Sequence, residues 1–140
     1  MDAKIAEHFA AIIDSARTVF EQVAYDTDIT PKRAILNLQG KYGLCRVFVT
    51  ELFSENIRKY RYYVLMGNRV EAGFDNSPDP RAIRLRHGKI GEEHAGECIP
   101  HLHREDKTEM MLTEEMVFRD FIRWLKNNVG CEEAKKQKAI

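Results

Sequence analysis

The feature that most constrains the fold is Gly67-Asn68, a two-residue break between β-rich runs at 57–66 and 69–75. Gly-Asn supplies the positive φ of a primed two-residue turn, and such turns match the twist of paired strands. An antiparallel hairpin is therefore expected. Pairing Met66 with Arg69 sets Leu65 opposite Val70, Tyr63 opposite Ala72 and Arg61 opposite Phe74, on the face expected to be core. The other face then carries Val64 opposite Glu71, Tyr62 opposite Gly73 and Tyr60 opposite Asp75, with Arg58 two residues further on. A phenol, a carboxylate and a guanidinium converge there. The plain alternative is a polar cross-strand pair on a solvated face, worth ~0.2–1 kcal/mol.

The rest of the chain supplies partners for this hairpin. Ile5, Phe9, Ile12, Ile13, Ala16, Val19, Phe20 and Val23 recur at helical spacing, which predicts one amphipathic helix over 3–24 with Asp2 as its cap. Thr30 before Pro31 is pushed toward extended backbone. Strands are expected at 34–39 and 44–52, separated by a loop with glycine at both ends, Gly40 and Gly43. Pro78 and Pro80 enforce a turn, after which 82–86 reads as a short strand projecting Arg84 and Arg86 together. Residues 87–98 read as an irregular exposed loop. Val117, Phe118, Phe121, Trp124, Leu125 and Asn128 then follow helical spacing after Thr113-Glu114-Glu115, with Gly130 as the stop.

The expected fold is α+β: a curved antiparallel sheet of four to five strands, with the N-terminal and C-terminal helices packed on one face and the other partly open. At 140 residues the chain suits a single domain, placed at 1–130, with 131–140 as a flexible charged tail. No apolar run approaches the ~18 residues of a membrane span, and Asp2, Glu7 and Asp14 stand where a signal peptide would be basic. A cytoplasmic protein without membrane contact is the expectation. Three cysteines, Cys45, Cys98 and Cys131, form no CxxC pair, so reduced thiols are expected.

Net charge is zero, which by itself argues against a nucleic-acid partner. The average conceals a gradient. Residues 1–29 hold 2 basic and 6 acidic side chains, 32–89 hold 12 and 5, and 90–140 hold 8 and 11, giving −4, +7 and −3. Eight of the twelve central cations are arginines, whose planar fork suits phosphate better than lysine's point charge. A solvated sheet face and an anionic partner both remain open on this count.

Four of five histidines, His87, His94, His101 and His103, fall within seventeen residues. In an extended segment His101 and His103 point to one side, roughly 6–7 Å apart at Cα, and can share a cleft. Imidazoles titrate near neutrality, so one can serve as base and one as acid. Zinc is the competing explanation for His87, His94, Cys98, His101 and His103. However, Cys98-x-x-His101 is the one pair with knuckle spacing and has no second pair to complete it, so no metal and no other cofactor is expected.

Lys59-Tyr60-Arg61-Tyr62-Tyr63, then Phe74-Asp75-Asn76-Ser77-Pro78, then Pro100-His101-Leu102-His103 ahead of an acidic C-terminal helix, together resemble the TumE-like toxins of prokaryotic toxin–antitoxin systems. The resemblance covers roughly 57–128. It departs from the family pattern where Asp79 and Pro80 stand in place of a histidine, and where 80–98 is longer than usual. The resemblance implies a fold related to the RelE-like ribonucleases and a DNA-binding antitoxin as partner.

The function expected from these features is a toxin acting as a metal-independent endoribonuclease. In that reading His101 or Asp75 is the base, His103 the acid, Arg58 the stabiliser of the transition-state phosphate and Tyr60 the orienter of Asp75. Arg84 and Arg86 bind flanking RNA phosphates, with Lys89 and Arg61 as further nucleic-acid contacts. Arg61 matches the resemblance motif although the assumed register turns it away from Asp75. Two alternatives of other classes stand beside it: a noncatalytic module binding a metal, an anion or a protein partner, and a subunit whose exposed sheet edges pair with a second copy as a homodimer.

Overall fold

The computed structural model describes residues 3–55, 57–89 and 91–129. The elements are α1 (Ala3–Val19), β1 (Glu21–Ile29), β2 (Arg33–Tyr42), β3 (Cys45–Ser54), β4 (Ile57–Met66), β5 (Arg69–Asp75), α2 (Pro80–His87), α3 (Gly91–His94), β6 (His101–Arg104), β7 (Glu109–Leu112) and α4 (Phe118–Asn128). The class is α+β, and the strands form one antiparallel meander, each paired with its sequence neighbours. There are seven strands rather than four to five. The additions are β1, β6 and β7, and the strand expected at 82–86 is helix. The tail at 131–140 and the Asp2 cap lie outside the described residues.

Strand alternation divides the sheet into two faces. Leu36, Leu38, Val47, Val49, Tyr62, Val64, Phe74 and Leu102 point to one side, where they meet Phe9, Ile12 and Ile13 of α1 and Phe118, Phe121 and Leu125 of α4 in one cluster. Burying each such side chain contributes ~1.5–3 kcal/mol, so this layer drives folding. Both terminal helices thus cover the same face, as the sequence leads one to expect. No helix among the described residues is long and apolar enough to cross a membrane.

Three elements depart from the sequence reading. First, α1 stops at Val19 and the chain turns into β1, because Phe20 seats its ring in the notch left by Gly40, where an added Cβ would lie 2.8 Å from Phe20 Cβ. Second, 80–87 is helix α2, not strand. Asp79 caps it by accepting from the Arg81 N–H at 2.8 Å, Pro80 opens it and Gly88 closes it at φ 78°. Its buried Ala82 and Ile83 pack with Ile99, Met110 and Leu112 on the sheet face that α1 and α4 leave uncovered. Third, Cys45 is disulfide-bonded, which corrects the expectation of reduced thiols. Cys98 is free and exposed, and Cys131 lies outside the described residues.

Candidate active site

The register of β4 against β5 decides which side chains meet. From the Gly67-Asn68 turn the strands pair Met66 with Arg69 and Leu65 with Val70, but then Val64 pairs with Ala72, leaving Glu71 as the extra residue of a bulge. Everything beyond it shifts by one. Arg61 therefore pairs with Asp75, and Tyr63 with Gly73. Tyr60 falls on the helix-covered face, opposite to Asp75, and the expected Tyr60–Asp75 contact does not form.

On the open face the pairing builds two rows across the sheet. Arg61, Asp75, His101 and Leu112 make one; Tyr63, Gly73, His103 and Met110 make the next. Asp75, His101 and His103 each offer a ligand or proton-accepting atom, all within 4.8 Å of one another. Their exposures are 5%, 1% and 3%. The two imidazoles stand at 87° with centroids 4.8 Å apart.

Local hydrogen bonds fix each member. Asp75 Oδ1 accepts from the Ser77 N–H at 2.6 Å, and Oδ2 lies 3.4 Å from both Arg61 Nε and the Tyr63 hydroxyl. His101 donates Nδ1–H to the Ile99 carbonyl at 2.7 Å, so a neutral His101 carries its lone pair on Nε2. His103 Nδ1 is buried and has no hydrogen-bond partner. Burial, helped by the neighbouring His101, Lys107 and Arg81 charges and opposed by Asp75, pushes the His103 pKa down to about 4. His103 is thus neutral at pH 7 in the free protein, which does not favour the acid role expected of it.

A cationic and aromatic rim surrounds this cluster. Arg61 and Lys107 both lie over the Tyr63 ring, each 5.1 Å from its centroid. Lys107 ends a run, Glu105 to Lys107, in which all three residues have positive φ. Four bonds tether that loop: Arg81 Nη1 donates to the Lys107 carbonyl at 3.0 Å, the Val70 N–H donates to Asp106 Oδ1 at 3.1 Å, the Asp106 N–H donates to the Val70 carbonyl at 2.9 Å and Arg69 Nη2 donates to Glu105 Oε2 at 2.7 Å. Burial pushes the Asp79 carboxyl up, but the Arg81 N–H and charge, with His101 and His103, hold it below the usual value. Further along the open face Arg46 lies 5.4 Å over Phe48.

Sequence reasoning placed other residues wrongly. Arg58 belongs to the helix-covered face, where it donates to Tyr62 Oη at 2.6 Å and pairs with Glu51 at 3.4 Å. Glu51, fully buried, also accepts from Tyr62 at 2.5 Å and from His8 at 2.9 Å. Burial and the Glu51 carboxylate raise the Tyr62 phenol well above its ordinary pKa. Tyr60 accepts from the Met116 N–H at 3.1 Å. Arg58 and Tyr60 therefore hold the α4 approach to the sheet and do not reach Asp75. Arg61, expected to point away, joins Asp75 instead.

Arg84 and Arg86 lie exposed on a helix, about 200° apart around its axis, so they do not project together. Lys89 is exposed just past the Gly88 cap. The remaining histidines form a separate group: His87 and His94 stack at 3.5 Å with a 4° interplanar angle, and Glu97 lies 2.8 Å from His87 and 3.3 Å from His94. Tyr63, Arg81 and Lys107 were missed by sequence reasoning. Tyr63 shared a motif with residues assigned to the opposite face, and Lys107 acquires its position only through loop docking.

No family model, no curated protein and no solved structure matches this chain.

Proposed function

We propose that the chain is an endoribonuclease toxin of the TumE-like kind that binds RNA across its open sheet face. The observation that carries this reading is the meeting of Asp75, His101 and His103 beside Arg61, Arg81 and Lys107. Acid–base groups without cations would not suit a phosphodiester, and cations without a base would only bind it. His101 Nε2 takes the proton of a ribose 2′-hydroxyl, and Asp75 and Tyr63 hold the reacting groups in place. The 2′-oxygen bonds to phosphorus as the bond to the 5′-oxygen breaks. His103 protonates that leaving oxygen once the bound phosphate's negative charge has raised its pKa. The products are a 2′,3′-cyclic phosphate and a 5′-hydroxyl.

Arg61 and Lys107 clamp the reacting phosphate, Arg81 and Arg84 follow the strand along α2, and the half-buried Phe48 offers a ring for a base to stack on. The work is cytoplasmic in this reading, with a DNA-binding antitoxin covering the face until it is needed. The test is direct: purified chain incubated with single-stranded RNA should yield cyclic-phosphate ends, and His101→Ala should lower the rate about 10²–10⁴-fold. A folded wild-type chain that leaves RNA intact would sink the proposal. One observation favours a second reading, a metal-binding module: the unpartnered Nδ1 of His103.

A further inference from the structure

We infer that Asp75, His101 and His103 together bind one borderline divalent cation, zinc foremost, and that the ion silences the acid–base centre these residues form. The second half rests on the ribonuclease reading; the first does not.

The donor set comes first. Two imidazoles and one carboxylate are a combination that zinc and its first-row neighbours take with a position left open for an exogenous ligand. The candidate ligand atoms lie within 4.8 Å of one another. An ion held at about 2.0–2.2 Å in tetrahedral geometry sets its donors about 3.4 Å apart, so separations of up to 4.8 Å need to contract by up to about 1.4 Å. The imidazole planes stand at 87°, which lets both in-plane lone pairs address one point.

Outer contacts are those a metal site uses. The Ile99 carbonyl holds His101 Nδ1–H at 2.7 Å, fixing the tautomer that leaves Nε2 free, and the Ser77 N–H holds Asp75 Oδ1 at 2.6 Å. The independent observation is His103, 3% exposed with Nδ1 facing no partner. Buried polar atoms are almost always paired, and a cation is a partner this donor lacks. The His87–His94–Glu97 group does not qualify. Its rings are parallel at 3.5 Å, so no ion can lie in both planes.

The consequence follows from His101. Once Nδ1–H is committed to Ile99, Nε2 is its sole lone pair, and an ion and a ribose proton compete for it. Arg61, Arg81 and Lys107 around the cluster oppose a bare cation, which makes the site one that fills when the metal rises and empties when it falls.

The experiment uses the full chain, stripped with chelator and dialysed, and titrated with Zn²⁺ by calorimetry and with Co²⁺ by visible absorption. One ion per chain is expected, with cobalt bands of a four- or five-coordinate site. Asp75→Asn and His103→Gln, each confirmed folded by circular dichroism, should weaken binding at least tenfold, and His87→Ala should not. No saturable site in the folded wild type, or binding that depends on His87 and survives His103→Gln, overturns the metal site. RNA cleavage is then measured in the same samples. Cleavage by the stripped chain that falls as zinc saturates supports silencing; cleavage that requires zinc overturns it. Zinc bound with no RNA cleaved under any condition rejects the ribonuclease reading and leaves the metal site standing.

Discussion

Arg61 is the direct cross-strand partner of Asp75, with Nε 3.4 Å from Oδ2. The Arg61 side chain is 54% exposed while Asp75 is buried, so one end of the pair faces the cluster and the other faces solvent. Removing Arg61 leaves a buried carboxylate with the Ser77 N–H and the Tyr63 hydroxyl as its remaining partners. Arg61→Ala should therefore lower the urea midpoint as well as reducing the salt slope of single-stranded RNA binding by about 0.7. Filter binding over a salt series checks this, and an unchanged slope would remove Arg61 from the phosphate contacts.

Gly73 is required by its partner. The Tyr63 ring crosses it so closely that an added Cβ would lie 2.8 Å from Tyr63 Cζ. Gly73→Ala must push the ring off its seat between Arg61 and Lys107, at a cost of about 1–3 kcal/mol. Chemical denaturation should register the loss, and Tyr63→Ala should make the additional effect of Gly73→Ala small. Full additivity of the two substitutions would show that the ring is not what the methyl meets.

Glu51 sits at 0% exposure with Arg58, Tyr62 and His8 as its partners. Removing one partner of a buried charge costs about 3–5 kcal/mol. Arg58→Ala should lower stability on that scale while leaving cleavage per folded molecule unchanged, because the residue faces away from His101. A fall in rate without a fall in stability would return Arg58 to the chemistry.

The pH dependence follows from His103, whose folded pKa of about 4 lies below the unfolded value near 6.5. Between those values the unfolded chain binds the proton and the folded chain does not, so stability falls as pH drops through the window. The contribution is about 3 kcal/mol, present above pH 6.5 and lost below 4. Urea midpoints of metal-stripped protein from pH 4 to 8 should show this slope, and His103→Gln should flatten it. Identical slopes would mean that His103 titrates normally in the fold.

The hairpin was readable because turn chemistry is local: Gly67-Asn68 specifies its own geometry. The face of Asp75 was not, because the bulge at Glu71 depends on Tyr63 settling over Gly73 and on Asp106 bonding Val70, contacts made by residues far apart in sequence. Helix α2 was legible in principle, since Asp79, Pro80 and Gly88 are start and stop signals, but two nearby prolines favoured a turn-and-strand reading. β1 was hidden because Phe20 and Val23 continue the helical spacing of α1 past its end, and β7 because four residues with a charge at one end carry too little pattern. The convergence of Asp75, His101 and His103 did not depend on the mistaken register, since β6 pairs with β5 whatever β4 does.

The bulge at Glu71 gives this protein an unusual sensitivity to counting. Closing the bulge with every residue kept would pair Glu71 with Val64 and, with the Gly67-Asn68 turn as anchor, set Phe74 opposite Arg61 and Asp75 opposite Tyr60, whereas losing Glu71 itself would leave Arg61 opposite Asp75. The closed ladder would take the carboxylate away from Arg61 and Tyr63. In descendants of this sequence a one-residue loss at the bulge is therefore compatible with the site, while a one-residue gain between Ala72 and Asp75 is not.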